Sequence, residues 1–188
     1  MSPVRTSASI LALVLLGFPV LPSCTQEASD ERTQERARVA GFTDSITVPE
    51  SPERTYDAAT GDISAWWDHS MSGAPYKLSI DPRPGGAFLE LFNEKGDGAL
   101  HATVILAERG KRLRFEGPLG LSGLGVTVVT TYEFRPLGAD STVLTYHVRM
   151  SGELPEGVAD IVRTTWHHFM AERFKPYIES GRHRDPAR

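Results

Sequence analysis

The stretch GDISAWWDHSM, residues 61 to 71, places two of the chain's three tryptophans side by side. Neighbouring residues on a helix or a strand point in different directions, so both rings can be buried only where two surfaces meet. In a short helix capped by Asp62, the apolar residues Ile63, Trp66 and Trp67 fall at positions i, i+3 and i+4, which lie on one face. We therefore predict that a short helix packs both tryptophans against a sheet.

A strand and another short helix are predicted just before this stretch. In VAGFTDSITV, residues 39 to 48, apolar residues alternate with threonine and serine, which is the period of a half-buried strand. Ser51 suits the N-cap and Pro52 the first turn of a helix that ends near Thr60.

Six further strand candidates follow, separated by turn signals such as DPRPGG and NEKGDG. They are Tyr76–Ile80, Ala87–Phe92, Ala99–Ala107, Arg112–Glu116, Val126–Pro136 and Ser141–Met150. Because no long helix separates them, this spacing predicts an antiparallel sheet.

The chain ends in a long amphipathic helix. From Pro155 to Ser180, apolar side chains recur at steps of three and four residues, and Gly181 closes the pattern. Pro176 lies inside it and is expected to kink the last turn or to end the helix early. The predicted fold class is α+β: one strand, two short helices, six strands and the C-terminal helix.

The first 23 residues differ in composition from the rest. They carry no acid and one base, Arg5, and the apolar run ILALVLLGF suits the centre of an export signal. The run is followed by LPSC, which resembles a bacterial lipobox with Pro22 in place of the usual small residue. We predict that Cys24, the only cysteine, is lipidated after cleavage and anchors the protein in the bacterial cell envelope. The alternative is an ordinary signal peptide, which leaves a soluble secreted or periplasmic protein.

The remaining boundaries follow from composition. Residues 24–38 are polar, crowded with alternating charge and too poor in apolar area to fold, so we predict a flexible tether. With 40% hydrophobic and 23% charged residues, the chain has the balance of one globular domain, predicted over residues 39–181. Residues 182–188 are predicted to be a frayed tail.

Four places in the sequence carry a family resemblance. They are SITVPESPERTYDAATG, DISAWW, PGGAF and the ending W…F…F.PYIESG on the last helix. Together they resemble the SRPBCC (START-like, helix-grip) superfamily, and within it the branch related to activators of the heat-shock-protein ATPase. The resemblance implies a curved antiparallel sheet of about seven strands wrapped on the C-terminal helix, with an apolar cavity between them. Many members bind lipids, polyketides or other hydrophobic small molecules.

Strand parity and the helix face give candidate residues for the cavity wall. They are Trp67, Phe88, Leu106, Phe115, Val128, Tyr132, Tyr146, Trp166 and Met170. A one-residue register error would turn several of them outward. Glu90 shares the parity of Phe88, so it either faces water on an edge strand or lies in the cavity, where burial would raise its pKa.

Three functions are open at this point. The first is binding of a small hydrophobic molecule or lipid by a membrane-anchored domain, without a cofactor. The second is a chaperone-partner domain, as the branch implies. The third is a cyclase- or hydrolase-like enzyme that uses Glu90 and His147, which requires both side chains to point inward. His147 alternates with apolar neighbours, and this pattern favours the outer face of the sheet.

Other classes lack their sequence signatures. His167 and His168 are adjacent rather than spaced as zinc ligands, so we expect a solvated His168 and no metal site. The net charge of −4 and the lack of a basic stripe argue against nucleic-acid binding. The segment GPLGLSGLGV, residues 117 to 126, lacks the ending of a phosphate loop. It is either a mobile apolar lid over the cavity or a tight connection between strands.

Overall fold

An antiparallel sheet packed against a C-terminal helix forms the part of the protein that the computed structural model describes, residues 37 to 185. The strands are β1 (Arg38–Val48), β2 (Gly61–Asp62), β3 (Lys77–Ile80), β4 (Ala87–Leu91), β5 (Gly98–Glu108), β6 (Arg112–Gly117), β7 (Val126–Pro136) and β8 (Thr142–Gly152). The first helix is α1 (Pro52–Ala58). The C-terminal helix consists of α2 (Val158–His167), a π-helical segment (His168–Phe174) and α3 (Lys175–Glu179). Two short 3₁₀ turns are Leu119–Leu121 and Arg182–Arg184.

The eight described strands form one sheet in the order β1-β8-β7-β6-β5-β4-β3-β2. Every neighbouring pair is antiparallel, and β1 and β7 each pair with β8 over eleven residues. The sheet curves, and its inner face packs against the C-terminal helix. These features confirm the predicted α+β helix-grip fold. No helix within residues 37 to 185 is both long and apolar enough to cross a membrane.

The two short elements after β1 form as the sequence predicts, with one difference. The Ser51 hydroxyl caps α1 by accepting from the Arg54 N–H at 3.4 Å. The second predicted helix is a single turn, in which the N–H groups of Trp66 and Trp67 both donate to the Ile63 carbonyl, at 3.1 and 2.9 Å. Its first residues belong to β2, because the chain pairs with β3 before it turns.

Two β-bulges interrupt the alternation along β5. The first leaves His101 as an extra residue between the pairs Phe88–Ala102 and Leu89–Leu100, so His101 and Ala102 are both buried. The second leaves Ile105 unpaired. A bulge adds one residue to one strand, reverses the parity beyond it and bends the strand. The two bulges therefore add to the curvature of the sheet. They also prevent a simple alternation in the sequence from showing which residues of β5 face inward.

Leu106 is wrongly placed by the sequence for this reason. It pairs with Arg114, whereas the buried residues of β6 are Leu113 and Phe115, so Leu106 shares the outer face with Arg114. Ala107 packs against the core in its place.

The C-terminal helix continues through Pro176 to Glu179, so of the two predicted effects of the proline, a kink or an early end, the early end does not occur. The residues just before it form the π-helical segment, in which the Lys175 N–H donates to the Met170 carbonyl five residues earlier. Pro176 has no N–H to donate. It lies at the point where the backbone hydrogen bonds of the helix return from π-helical to α-helical spacing. Gly181 then ends the helix at φ 75°, a left-handed conformation that favours glycine.

The chain after Gly181 does not fray at once. His183 Nε2 and the Arg184 guanidinium both lie 2.9 Å from a carboxylate oxygen of Glu50, and the Ser51 N–H donates to the other oxygen at 3.0 Å. Burial opposes ionisation of Glu50, but these donors outweigh it and lower its pKa to about 2. Residues 182 to 184, the first part of the segment 182–188 that was predicted to be a frayed tail, therefore contact the domain.

Candidate ligand cavity

A cavity of about 470 Å³ lies between the first half of the C-terminal helix, the inner face of the sheet and two connecting segments. The helix and the sheet contribute Phe88, His101, Val128, Ile161, Val162, Thr165, Trp166 and Phe169. The connecting segments contribute Trp67, His69, Ser70, Met71, Leu119, Gly120 and Leu121. The side chains of Met71 and Ile161 are exposed, so the cavity has an apolar rim on its open side.

The predicted wall residues fall into three groups. Trp67, Phe88, Val128 and Trp166 line the cavity. Phe115, Tyr132, Tyr146 and Met170 point inward but are packed into the core, each 0 or 1% exposed, and do not line it. The third group does not face the cavity. Leu106 lies on the outer face of the sheet, and Glu90 is buried beside His101.

The cavity is confined to one end of the helix because aromatic side chains fill the rest. The rings of Phe115 and Tyr132 meet edge to face at 5.5 Å, and Phe88 contacts Phe115 at 5.8 Å. Trp66 packs on Phe174 at 4.8 Å. The expected cavity between the sheet and the C-terminal helix is therefore limited to the part near α2.

The two adjacent tryptophans have different surroundings. Trp66 is 1% exposed and its indole N–H donates to the Ala58 carbonyl at 3.1 Å, so it belongs to the core. Trp67 stacks on Phe169 with ring centroids 3.9 Å apart and meets Trp166 edge to face at 6.0 Å. Trp67 thus links the turn to the C-terminal helix and forms part of the cavity wall.

Glu90 is fully buried, contrary to the view of it as an edge residue facing water. Its carboxylate accepts from the Met71 N–H at 2.8 Å, from the Ser72 N–H and hydroxyl at 3.0 and 2.7 Å, and from His101 Nε2 at 2.9 Å. Burial by itself would raise the pKa of Glu90, as the sequence suggested. The four hydrogen bonds outweigh burial and lower the pKa to about 2. Glu90 is therefore ionised and holds the segment at the cavity rim.

His101 is a buried polar residue of the cavity wall that the sequence did not single out. The ionised Glu90 carboxylate can only accept, so His101 Nε2 carries the hydrogen of their 2.9 Å bond. Nδ1 is then left as the ring nitrogen that can form a hydrogen bond with a bound molecule. The first bulge of β5 turns His101 inward, and no simple alternation along the strand reveals it.

His147 lies on the outer face of the sheet, which removes the basis of the enzyme hypothesis. Its Nδ1 lies 2.9 Å from the Thr43 hydroxyl, and its Nε2 lies 3.7 Å from a carboxylate oxygen of Glu133. Since Glu90 points inward, the two side chains lie on opposite faces of the sheet. They cannot act together on one molecule in the cavity.

The glycine-rich connection between β6 and β7 contributes to the cavity wall. Leu119 is buried with φ 50°, and Leu119, Gly120 and Leu121 all contribute to the wall. Leu124 remains 39% exposed. The buried Leu119 thus anchors the connection to the domain, whereas Leu124, closer to β7, is more exposed.

Comparisons with known proteins support the fold. No family model matches the sequence, and no curated protein matches it. Solved structures do match. A protein of unknown function from Staphylococcus aureus, SA2116, is 12% identical with a TM-score of 0.57, over 77% of this chain and 96% of that chain. The Mll3558 protein from Rhizobium loti is 24% identical with a TM-score of 0.51, over 73% and 99%. Ara h 8.0201 is 15% identical with a TM-score of 0.56, over 76% and 99%. At these identities the likeness concerns the fold.

Proposed function

We propose that the protein binds a small, mostly apolar molecule in the cavity beside α2, with one polar group of that molecule near His101. The cavity volume of about 470 Å³ is the observation that carries this proposal, because pockets for small ligands typically measure about 300–1,000 Å³. The mixture of side chains supports it as well. An aromatic wall around Trp67 supplies apolar contact, and the imidazole of His101 supplies one oriented polar group.

The resemblance of the sequence to the SRPBCC superfamily supports this proposal, since many members of that group bind hydrophobic molecules. Binding without catalysis is the simpler proposal, because Glu90 is already satisfied by four hydrogen bonds within the protein. Its low pKa also makes it a poor proton donor near neutral pH.

Filling the cavity is expected to abolish binding. Thr165 lines the cavity, and its hydroxyl bonds only within its own helix, to the Ile161 carbonyl at 2.9 Å. The substitution Thr165→Trp should therefore place an indole in the cavity at small cost in stability. We expect it to weaken the binding of anilinonaphthalene sulfonate, measured by the increase in dye fluorescence, by at least about tenfold.

The neighbouring substitution Thr164→Trp is the matched control. Thr164 lies on the same helix, is exposed and does not line the cavity. Dye affinity should therefore stay at the wild-type level, with both variants shown to be folded by far-UV circular dichroism. Equal dye binding by the two variants would contradict the cavity as the binding site.

The proposed setting of this activity is the bacterial envelope, with Cys24 as the lipid anchor. Cys24 lies outside the described residues, and the LPSC sequence supports this part of the proposal. Expressed in bacteria, the wild-type chain should partition into detergent and carry the mass of a diacylglyceryl group on Cys24. The variant Cys24→Ser should lose both properties, and Ser23→Ala, which keeps a small residue before the cysteine, should keep them. Membrane partition of Cys24→Ser with bound lipid would contradict the anchor.

A further inference from the structure

A cluster of metal-ligating side chains lies at the rim of the cavity and is not required by the proposed binding of an apolar molecule. It consists of Asp68, His69 and His168, and we call it the rim triad. Asp68 and His69 directly follow the turn that carries Trp66 and Trp67, here called the tryptophan turn, and His168 begins the π-helical segment. One ligating atom from each of the three lies within 4.8 Å of the other two. The triad brings together two elements that are a hundred residues apart in sequence.

The separations from Asp68 to each histidine are close to those between ligands of a single metal ion. His168 Nε2 lies 2.9 and 3.1 Å from the two carboxylate oxygens of Asp68, and His69 Nδ1 lies 3.1 Å from one of them. Two ligands about 2.0–2.1 Å from a tetrahedral zinc ion are roughly 3.3 Å apart. An ion could therefore enter between these atoms with small movements of exposed or half-exposed side chains.

The surroundings of His168 also suit metal binding. Its second ring nitrogen, Nδ1, lies 2.8 Å from a carboxylate oxygen of Glu172, one turn further along the helix. A metal-binding histidine usually donates its other ring N–H to a carboxylate or carbonyl, which fixes the ring and directs the remaining lone pair at the ion. In this arrangement Nε2 is the nitrogen that faces Asp68 and His69.

A cation already lies against the same carboxylate. Arg173 Nε lies 3.0 Å from Asp68 Oδ2, and the Arg173 side chain is 43% exposed. The guanidinium can swing into solvent without leaving a buried charge unpaired, so an ion that binds the rim triad competes with Arg173 for Asp68. Removing Arg173 should consequently strengthen binding, which is a result that a purely structural ion-pair network would not give.

We propose that the rim triad binds a divalent transition-metal ion, with Asp68, His69 and His168 as ligands and Glu172 as the carboxylate that orients His168. Two imidazoles and one carboxylate form a ligand set of the kind that holds zinc while leaving a position open for water. His69 also lines the cavity, so the open position lies at the cavity rim. The proposal goes beyond the binding of an apolar molecule and does not depend on it.

Titration of zinc chloride into the full chain, followed by calorimetry at pH about 7, where millimolar zinc stays in solution, tests the proposal. The chain carries Cys24→Ser throughout, because the lone thiol could bind zinc itself, and it carries no histidine tag. We expect one equivalent of zinc to bind, with a dissociation constant in the micromolar range or below. His168→Gln should weaken binding by at least about tenfold, and Arg173→Gln should strengthen it.

His167→Gln is the matched control, because the His167 side chain is 57% exposed and lies nearest Asp44, away from the rim triad. It should bind zinc as the parent chain does. If His168→Gln proves unfolded by far-UV circular dichroism, His69→Gln replaces it, since His69 is exposed and its loss removes a ligand at small cost. Lack of saturable binding at millimolar zinc, or unchanged affinity in the folded ligand variant, would overturn the proposal.

Discussion

The substitution Glu90→Gln is expected to lower the free energy of unfolding at neutral pH by about 3 kcal/mol. The pKa of Glu90 is lowered from 4.5 to about 2 in the folded protein, and each unit of pKa corresponds to about 1.4 kcal/mol. Glutamine keeps the shape of the side chain but removes the charge. It also points an N–H₂ group at donors, such as the Met71 and Ser72 N–H groups, that the carboxylate satisfies.

The pH dependence has a definite sign. Because the folded-state pKa of Glu90 is the lower one, its contribution is fully present above the unfolded pKa near 4.5 and is lost as the pH falls towards 2. The gap in stability between wild type and Glu90→Gln should therefore be constant from pH 5 to 7 and close at lower pH. Glu50, whose pKa is also lowered to about 2, remains in both proteins and cancels from this difference.

Urea denaturation followed by far-UV circular dichroism across this pH range measures the effect. Glu116→Gln is the matched control, because Glu116 is an exposed glutamate on strand β6 of the same sheet. It should change stability by less than about 0.5 kcal/mol. A Glu90→Gln protein as stable as the control at pH 7 would show that the carboxylate does not hold the rim segment.

The substitution Trp66→Ala is expected to cost about 3–5 kcal/mol, the range for truncating a large aromatic residue in a core. Trp66 is 1% exposed, packs on Phe174 and Trp67, and donates to the Ala58 carbonyl. Alanine would leave a cavity at the point where α1, the tryptophan turn and the C-terminal helix meet. It would also leave the Ala58 carbonyl without this donor.

Tyr76→Ala provides the comparison for an aromatic residue outside the core, since Tyr76 is 57% exposed. Urea denaturation at pH 7 should show a loss below about 1 kcal/mol for Tyr76→Ala and several times more for Trp66→Ala. Similar losses for the two variants would mean that Trp66 contributes no more than a surface ring.

The parts of the fold that the sequence predicted well are those where alternation runs unbroken. β1 and β7 pair with β8 residue by residue over their whole length, so the inward direction of Val128, Tyr132 and Tyr146 follows from parity alone. The burial of Trp66 and Trp67 at a meeting of surfaces also follows from their spacing. Local pattern and tertiary packing agree at these positions.

The cavity was less predictable for two physical reasons. The bulges of β5 reverse parity twice, so Leu106 points outward and His101, which had no apparent role, points inward. Facing inward is also not the same as lining a cavity. Tyr132 and Met170 show this, because whether neighbouring side chains fill the space around them depends on how the helix packs, which no local pattern records.

Glu90 illustrates a third limit. Its parity with Phe88 correctly suggested an inward direction, yet its ionisation depends on donors from the rim segment and from a bulged histidine. Those donors lie up to nineteen residues away in sequence and are brought together only by folding. Burial without partners and burial with four donors shift the pKa in opposite directions.

The aromatic wall of the cavity has a further consequence for optical spectroscopy. All three tryptophans of the chain belong to one cluster, with ring centroids 5.5 Å apart between Trp66 and Trp67 and 6.0 Å apart between Trp67 and Trp166. Indole transitions at such separations couple as excitons, and two of the three rings, Trp67 and Trp166, line the cavity. Binding of a molecule in the cavity should therefore change the dichroism of these tryptophans, so binding can be measured without a label.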